Sequence, residues 1–157
     1  MTVAAATTIA GRIVQRHGTP VPGVSQIGLT HAFPSAMTLA GADLDGLGLP
    51  RARQEAIRSF ARAVVDDAIR LDGSVGLEPL IASITAIEGL GSWTANYVAL
   101  RLGEPDAFPA GDLGLRRAVD GDARDLATLA EGWRPWRALA ATHLWAADAA
   151  IPARTAA

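Results

Sequence analysis

Apolar positions recur at three- and four-residue intervals along nearly the whole chain, and no stretch alternates with the period of two that a half-buried strand requires. The pattern predicts an all-α protein. Its clearest element lies near 51–71, where Ile57, Phe60, Ala61, Val64, Val65, Ala68 and Ile69 share one helical face, with Arg51, Arg58, Arg62 and Asp66 on the other side. An earlier helix over 3–16 is ended by Gly18 and the cluster of Pro20, Pro22 and Gly23. Pro34, Gly41, Gly46, Gly48 and Pro50 break 26–50 into short helices and turns. Leu80, Ile81, Ile84 and Ile87 mark a helix near 77–87 that stops at Glu88, Gly89, Leu90 and Gly91. Ser92, a good N-cap residue, opens the next helix, to about Leu102. After a loop at 103–111 containing two prolines, Asp112 opens a short helix to about Val119. Asp122 caps another to about Glu131, and Trp136 to about Ala149 form the last. No repeat is visible, and residues 151–157 are expected to fray.

Composition narrows the chemistry. At 157 residues, half of them apolar and 19% charged, the chain suits one soluble domain with a real core. No apolar run approaches the ~18 residues of a membrane span. The first residues lack the basic segment and cleavage-like site of a signal peptide, so the expected location is the cytoplasm. With no cysteine there is no disulfide, thiol nucleophile, iron–sulfur cluster or thiolate zinc site. His17, His31 and His143 are far apart and lack ligand-like spacing. All 14 basic residues are arginine, which closes off lysine Schiff-base chemistry. A net charge of −2 argues against wrapping nucleic acid through a basic face.

The informative stretch is 77–117. Two helices joined by Gly-x-Gly form a hairpin whose glycines permit a sharp turn and close approach of a ligand. Outward amides of Gly89, Gly91 and the first turn after them could hold a phosphate without basic side chains. By itself, a Gly-x-Gly between helices is more often simply a turn. About twenty residues later, Phe108, Pro109, Ala110 and Gly111 lead into Asp112 at a helix start. An aspartate there is ordinarily an N-cap, contributing about 1 kcal/mol. The sharper alternative is a carboxylate that faces a nucleotide and stabilises the sugar cation formed when a glycosidic bond breaks.

The segment IEGLGSWTANYVALRLGEPDAFPAGDLGLRRAV resembles the core of the helix-hairpin-helix (HhH-GPD) DNA glycosylase superfamily, specifically the DNA-3-methyladenine glycosylase II branch. ADLDGLGLPRARQEAIRSFARAV resembles the helix leading to the hairpin, and WRPWRALAATHLW the C-terminal helix, so the similarity covers roughly 3–148. The resemblance implies a glycosylase helical region over 1–150, with two helical lobes around a central cleft, the hairpin at about 77–102 and the catalytic loop at about 103–117. It implies Asp112 as the catalytic aspartate. Gly89, Gly91 and Ser92 would bind DNA phosphate, with a possible monovalent cation (Na+ or K+) at the hairpin backbone and no other cofactor. Trp93, Tyr97 and Trp145 would line the base pocket, with Trp145 stacking on the extruded base. Spacing alone favours core packing for Trp93 and Tyr97, four apart on one face; Trp133 and Trp136 read as core or surface-packing residues.

The implied partner is double-stranded DNA containing alkylated bases such as 3-methyladenine, with no membrane association, and the protein acts as a monomer. Bifunctional relatives resembling endonuclease III carry a lysine two residues after the second hairpin glycine; here that position is Trp93. Simple hydrolysis is therefore expected. Three departures stand out. Glu88 replaces the usual proline before the first hairpin glycine, and Gly111 replaces an acidic residue before Asp112. The family's wedge-bearing turn and mixed α/β N-terminal domain would precede Met1, which suggests an N-terminal truncation able to impair activity. The rival readings are a non-catalytic helix-hairpin-helix DNA-binding module and an inactive fragment.

Overall fold

A computed structural model of the chain describes residues 2–23, 28–119 and 122–150. The tail expected to fray lies outside these residues. Among them run eight α-helices: α1 (Val3–His17), α2 (Ala36–Ala40), α3 (Arg51–Val65), α4 (Leu77–Thr85), α5 (Ser92–Arg101), α6 (Leu113–Val119), α7 (Ala123–Ala130) and α8 (Arg137–Ala150). A 3-10 turn spans Glu131–Trp133. Among the described residues the exception to helix is a two-residue antiparallel pair, β1 (Thr19–Pro20) and β2 (His31–Ala32). Two residues carry no period, so no sequence pattern announces them. None of the described helices is long and apolar enough to cross a membrane.

The chain divides into two compact units, Met1–Ile69 with Ile87–Gly89, and Arg70–Ala86 with Leu90–Ala157. In the first, Ile13, Ala42, Leu44 and Leu47 form a core flanked by Ile9, Leu39, Leu49 and Ile57. Basic side chains at the end of α1 reach the loop before α3. Arg12 donates to the Leu47 carbonyl at 3.1 Å and Arg16 to that of Asp45 at 2.5 Å.

The helix expected to reach residue 71 ends at Val65. Asp67, at φ 58°, turns left-handed there, and the amides of Ala68 and Ile69 both bond back to the Ala63 carbonyl. Along the expected face of α3 Ala61 is buried and Ile57, Phe60 and Val64 are half-buried, Gln54 and Ala56 are buried as well, and Val65, at the helix end, is exposed. Gln54 is tolerated inside because its Nε2 donates to the Leu49 carbonyl at 3.1 Å.

The second unit is built on Phe108, Leu115, Leu126, Ala130 and Ala141, with Leu100, Val119, Trp133, Leu144 and Trp145 packed against them. Leu77, Leu80 and Ile84 bury one face of α4, and α4 packs on α5, whose own buried residues are the small Ala95 and Ala99. Small residues let the two helices approach closely. Helix α5 starts one residue earlier than the cap assignment implied. Gly91 is the N-cap, and Ser92 is the first helical residue, without a capping side-chain bond. Asp122 does cap α7, accepting from the amides of Arg124 and Asp125.

Candidate active site

Asp112 immediately precedes α6, and its Oδ1 accepts from the backbone N–H of Gly114 at 2.9 Å and of Leu115 at 3.2 Å. That is an N-cap, as its position predicts. The side chain does more than cap. Trp145 Nε1 donates to the same Oδ1 at 2.9 Å, and Trp93 Nε1 to Oδ2 at 3.0 Å. Partial burial pushes this carboxyl up, but the two indole donors and the two amides outweigh it and hold the pKa below its ordinary value. The group is a well-solvated anion in all but name, with protein donors standing in for water.

The same indoles form part of an aromatic cluster. Trp93 and Tyr97 stack with centroids 5.4 Å apart and planes at 15°, and Tyr97 meets Trp145 edge-on at 5.9 Å and 64°. Core packing would bury Trp93 and Tyr97, yet they are 43% and 38% exposed. Their rings are spent on one another and on the surface beside Asp112. Trp145 is half-buried and leans on the core of its unit. Trp133 packs edge-on against Phe108 at 5.8 Å, and Trp136 is 59% exposed, which fits the structural parts assigned to them.

The loop that delivers Asp112 is tied down at several points. Ala107, Phe108 and Pro109 are buried. Asn96 of α5 accepts from the Phe108 amide at 3.0 Å while its Nδ2 donates to the Ser92 carbonyl at 3.0 Å. Asp106 accepts two bonds from Arg137, at 2.7 Å and 2.8 Å, and a further one from Arg134. Burial pushes Asp106 up, and the Arg137 and Arg134 guanidinium groups overcome this and hold it low. The Ala138 amide bonds the Pro105 carbonyl at 2.9 Å, so the start of α8 grips the loop as well.

At the hairpin, Gly89 lies at φ +86°, a conformation that favours glycine, and it is exposed. Gly91 is exposed in an extended conformation (φ −101°, ψ 178°) open to any residue, so steric freedom explains one of the two glycines. Ser92 is exposed at the start of α5. Among the described residues no group of three or more histidine, aspartate and glutamate side chains is placed to hold a metal ion.

The carboxylate and the aromatics singled out in the sequence meet in the structure, and the side chains that position them went unnoticed there. Asn96, Gly114, Arg117 and Asp148 carried no signal as single letters, because each acts through a partner between 12 and 34 residues away or through the absence of a side chain.

No family profile matches the chain. It is 42% identical over 147 residues to the probable bifunctional transcriptional activator/DNA repair enzyme AlkA of Mycobacterium tuberculosis, covering 90% of this chain and 29% of that protein. It is 30% identical over 150 residues to DNA-3-methyladenine glycosylase 2 of Escherichia coli, covering 92% of this chain and 52% of that one. The solved 3-methyladenine DNA-glycosylase of Archaeoglobus fulgidus superposes with a TM-score of 0.81 at 27% identity, over 96% of this chain and 54% of that one. The chain therefore spans about a third to a half of the length of these relatives. Its fold is the helical one of the helix-hairpin-helix (HhH-GPD) DNA glycosylases.

Proposed function

We propose that this chain carries the catalytic chemistry of a monofunctional DNA glycosylase of the DNA-3-methyladenine glycosylase II branch. Its reaction is hydrolysis of the N-glycosidic bond of alkylated bases such as 3-methyladenine, and its partner is double-stranded DNA bearing them. The observation that carries the reading is Asp112. A carboxylate with four protein donors, two indole N–H groups and two backbone amides, is held toward its ionised form beside exposed aromatic rings. A cap needs only the two backbone bonds.

The damaged nucleotide is extruded at a cost of a few kcal/mol, least where pairing is already weak. Backbone N–H groups at Gly91 and Ser92, where the chain enters α5 after the turn at Gly89, hold a phosphate. This requires no basic patch, which suits a net charge of −2. A sodium or potassium ion at this turn would be held by main-chain carbonyls near Gly89 and Gly91 and would add positive charge for the phosphate.

Trp93, Tyr97 and Trp145 offer π surfaces to an electron-poor alkylated purine, which they attract more strongly than a neutral base. The glycosidic bond then breaks with its electron pair leaving on the base, which quenches the base's positive charge. The sugar becomes an oxocarbenium ion, stabilised by the Asp112 carboxylate. Water adds at the anomeric carbon and releases a proton. Trp93 stands where a lysine would attack the sugar, and the chain contains no lysine, so the product is an intact abasic strand.

The test is excision from a methylated duplex, read by alkali cleavage of the abasic sites formed. Asp112→Asn should lower excision roughly 100-fold or more, with duplex binding retained. Excision by the variant at the unsubstituted rate would remove Asp112 from the mechanism.

A further inference from the structure

Asp112 has a second carboxylate for a neighbour. A Cβ built on Gly114 would stand 3.1 Å from Asp112 Oδ1, 3.1 Å from Asp148 Oδ2 and 3.3 Å from Trp145 Cδ1. Two carboxylates and an indole thus converge on a spot that glycine leaves empty, and the two oxygens are separated by at most twice the first distance. Asp148 lies one helical turn beyond Trp145 in α8, with its side chain 19% exposed. Arg117 of α6 meets it with both arms of its guanidinium, Nε to Oδ1 at 2.9 Å and Nη2 to Oδ2 at 2.7 Å. This planar two-bond geometry fixes orientation as well as proximity.

We propose that Arg117 and Asp148 are positioning residues for Asp112. Their pair, seated over Gly114, holds α6 and α8 in the register that brings Trp145 Nε1 onto Asp112, and it cancels the negative charge that Asp148 would otherwise place beside Asp112. The proposal rests on the reading of Asp112 as the working carboxylate. Its charge logic follows from distance. A bare carboxylate at such a separation raises a neighbour's pKa by roughly 0.5 to 1 pH unit in a partly wet site.

The titratable or charged groups on the elements that meet here are few among the described residues. From α5 there are Tyr97, whose ring packs on both indoles, and Arg101 in its last turn. From α6 come Arg116, which acts on Asp122, and Arg117, which also feels the charge of Asp112. From α8 come Asp148, the exposed His143 and, at the far end of the helix, Arg137, which is engaged by Asp106. Arg117 is the cation joined to Asp148 by hydrogen bonds.

The two indoles report the state of Asp112 directly, because each N–H ends on one of its oxygens. The experiment follows the Trp93 and Trp145 Nε1–H resonances of the 15N-labelled chain against pH. In the unsubstituted chain both should titrate together with a midpoint below the ordinary aspartate value of about 3.9. Arg117→Met should raise that midpoint by roughly 0.5 unit or more. Arg117→Met combined with Asp148→Asn should return it to within a few tenths of the starting value. A role confined to packing would leave the double variant at least as perturbed as the single one. If Arg117→Met loses the dispersion of folded indole peaks, Arg117→Gln carries the same expectation, since it keeps a hydrogen-bond donor toward Asp148 without the charge. A midpoint unmoved by loss of the Arg117 charge, or not restored in the double variant, overturns the proposal. Excision assays on the same proteins separate the two layers: a chain inert on methylated DNA defeats the glycosylase reading, while the indole titration still decides the pair.

Discussion

Trp145 Nε1 donates to Asp112 Oδ1 at 2.9 Å, across 33 residues of sequence, and so joins an aromatic wall to a carboxylate through one hydrogen bond. The bond serves two ends. It fixes the indole plane, and it stabilises the ionised form of Asp112 against the burial that would otherwise favour protonation.

The first prediction concerns pH. A carboxylate whose folded pKa is depressed keeps its charge down to low pH. Its contribution to stability is present above the unfolded value and is lost as pH falls through the folded one. Excision and thermal stability should therefore hold until the pH drops below about 3.9. Trp145→Phe keeps a ring but removes an indole donor while burial stays, so the acid limb of single-turnover excision should move up by roughly one pH unit. An acid limb left in place would show that this hydrogen bond does not control the charge of Asp112.

A second prediction follows from the missing amine. On the proposed reading Trp93 occupies the place from which a lysine would attack the sugar in a bifunctional glycosylase, and its own N–H is engaged by Asp112 at 3.0 Å. Borohydride added during turnover should trap no cross-linked protein, and the product strand should stay full-length until heated in alkali. A shifted band in a denaturing gel would contradict the hydrolytic reading.

The longer helices were readable from periodicity because each buries one face, and the place of Asp112 at a helix start was readable from the proline loop before it, whereas its role as more than a cap came only from the resemblance to the glycosylase family. The pattern misjudged the end of α3: the helix stops at Val65, before the left-handed turn at Asp67, so Val65 lies exposed in its last turn, and nothing in the pattern announced that the polar Gln54, bonded to the Leu49 carbonyl, is buried. Spacing also misjudged Trp93 and Tyr97, since rings that stack on each other at a surface have the same four-residue interval as rings in a core. The supports of the site were silent for a different reason. Nothing in the letters for Asp106 and Arg137, 31 residues apart, declares that they meet.

That meeting gives a third prediction. The Arg137 side chain is 12% exposed and that of Asp106 19%, so removing the carboxylate takes two bonds from a largely buried guanidinium and leaves it the more exposed Glu131, at 3.1 Å. Asp106→Ala should cost about 2 kcal/mol, below the range for fully buried pairs because water still reaches both groups. It should also loosen the loop that ends at Asp112, so excision should fall by more than the unfolded fraction explains. Denaturant melts set beside single-turnover rates at a temperature where the variant is folded would check both. Unchanged stability would mean that Arg134 and Glu131 re-form the network without Asp106.

The last prediction isolates the aromatic wall from the carboxylate. Tyr97 touches both Trp93 and Trp145 through its ring, and the indoles make the bonds to Asp112. Tyr97→Leu should therefore remove π surface while leaving the charge of Asp112 as it is. A cationic base loses an electrostatic attraction worth roughly 0.5 to 2 kcal/mol when an aromatic face is replaced by an alkyl one, whereas a neutral base loses stacking alone. Excision of 3-methyladenine should drop about 2- to 30-fold further than excision of hypoxanthine, compared on the same duplex sequence. Equal losses on the two bases would mean that the cluster recognises shape without sensing charge, and discrimination would then have to come from how easily each base leaves the sugar.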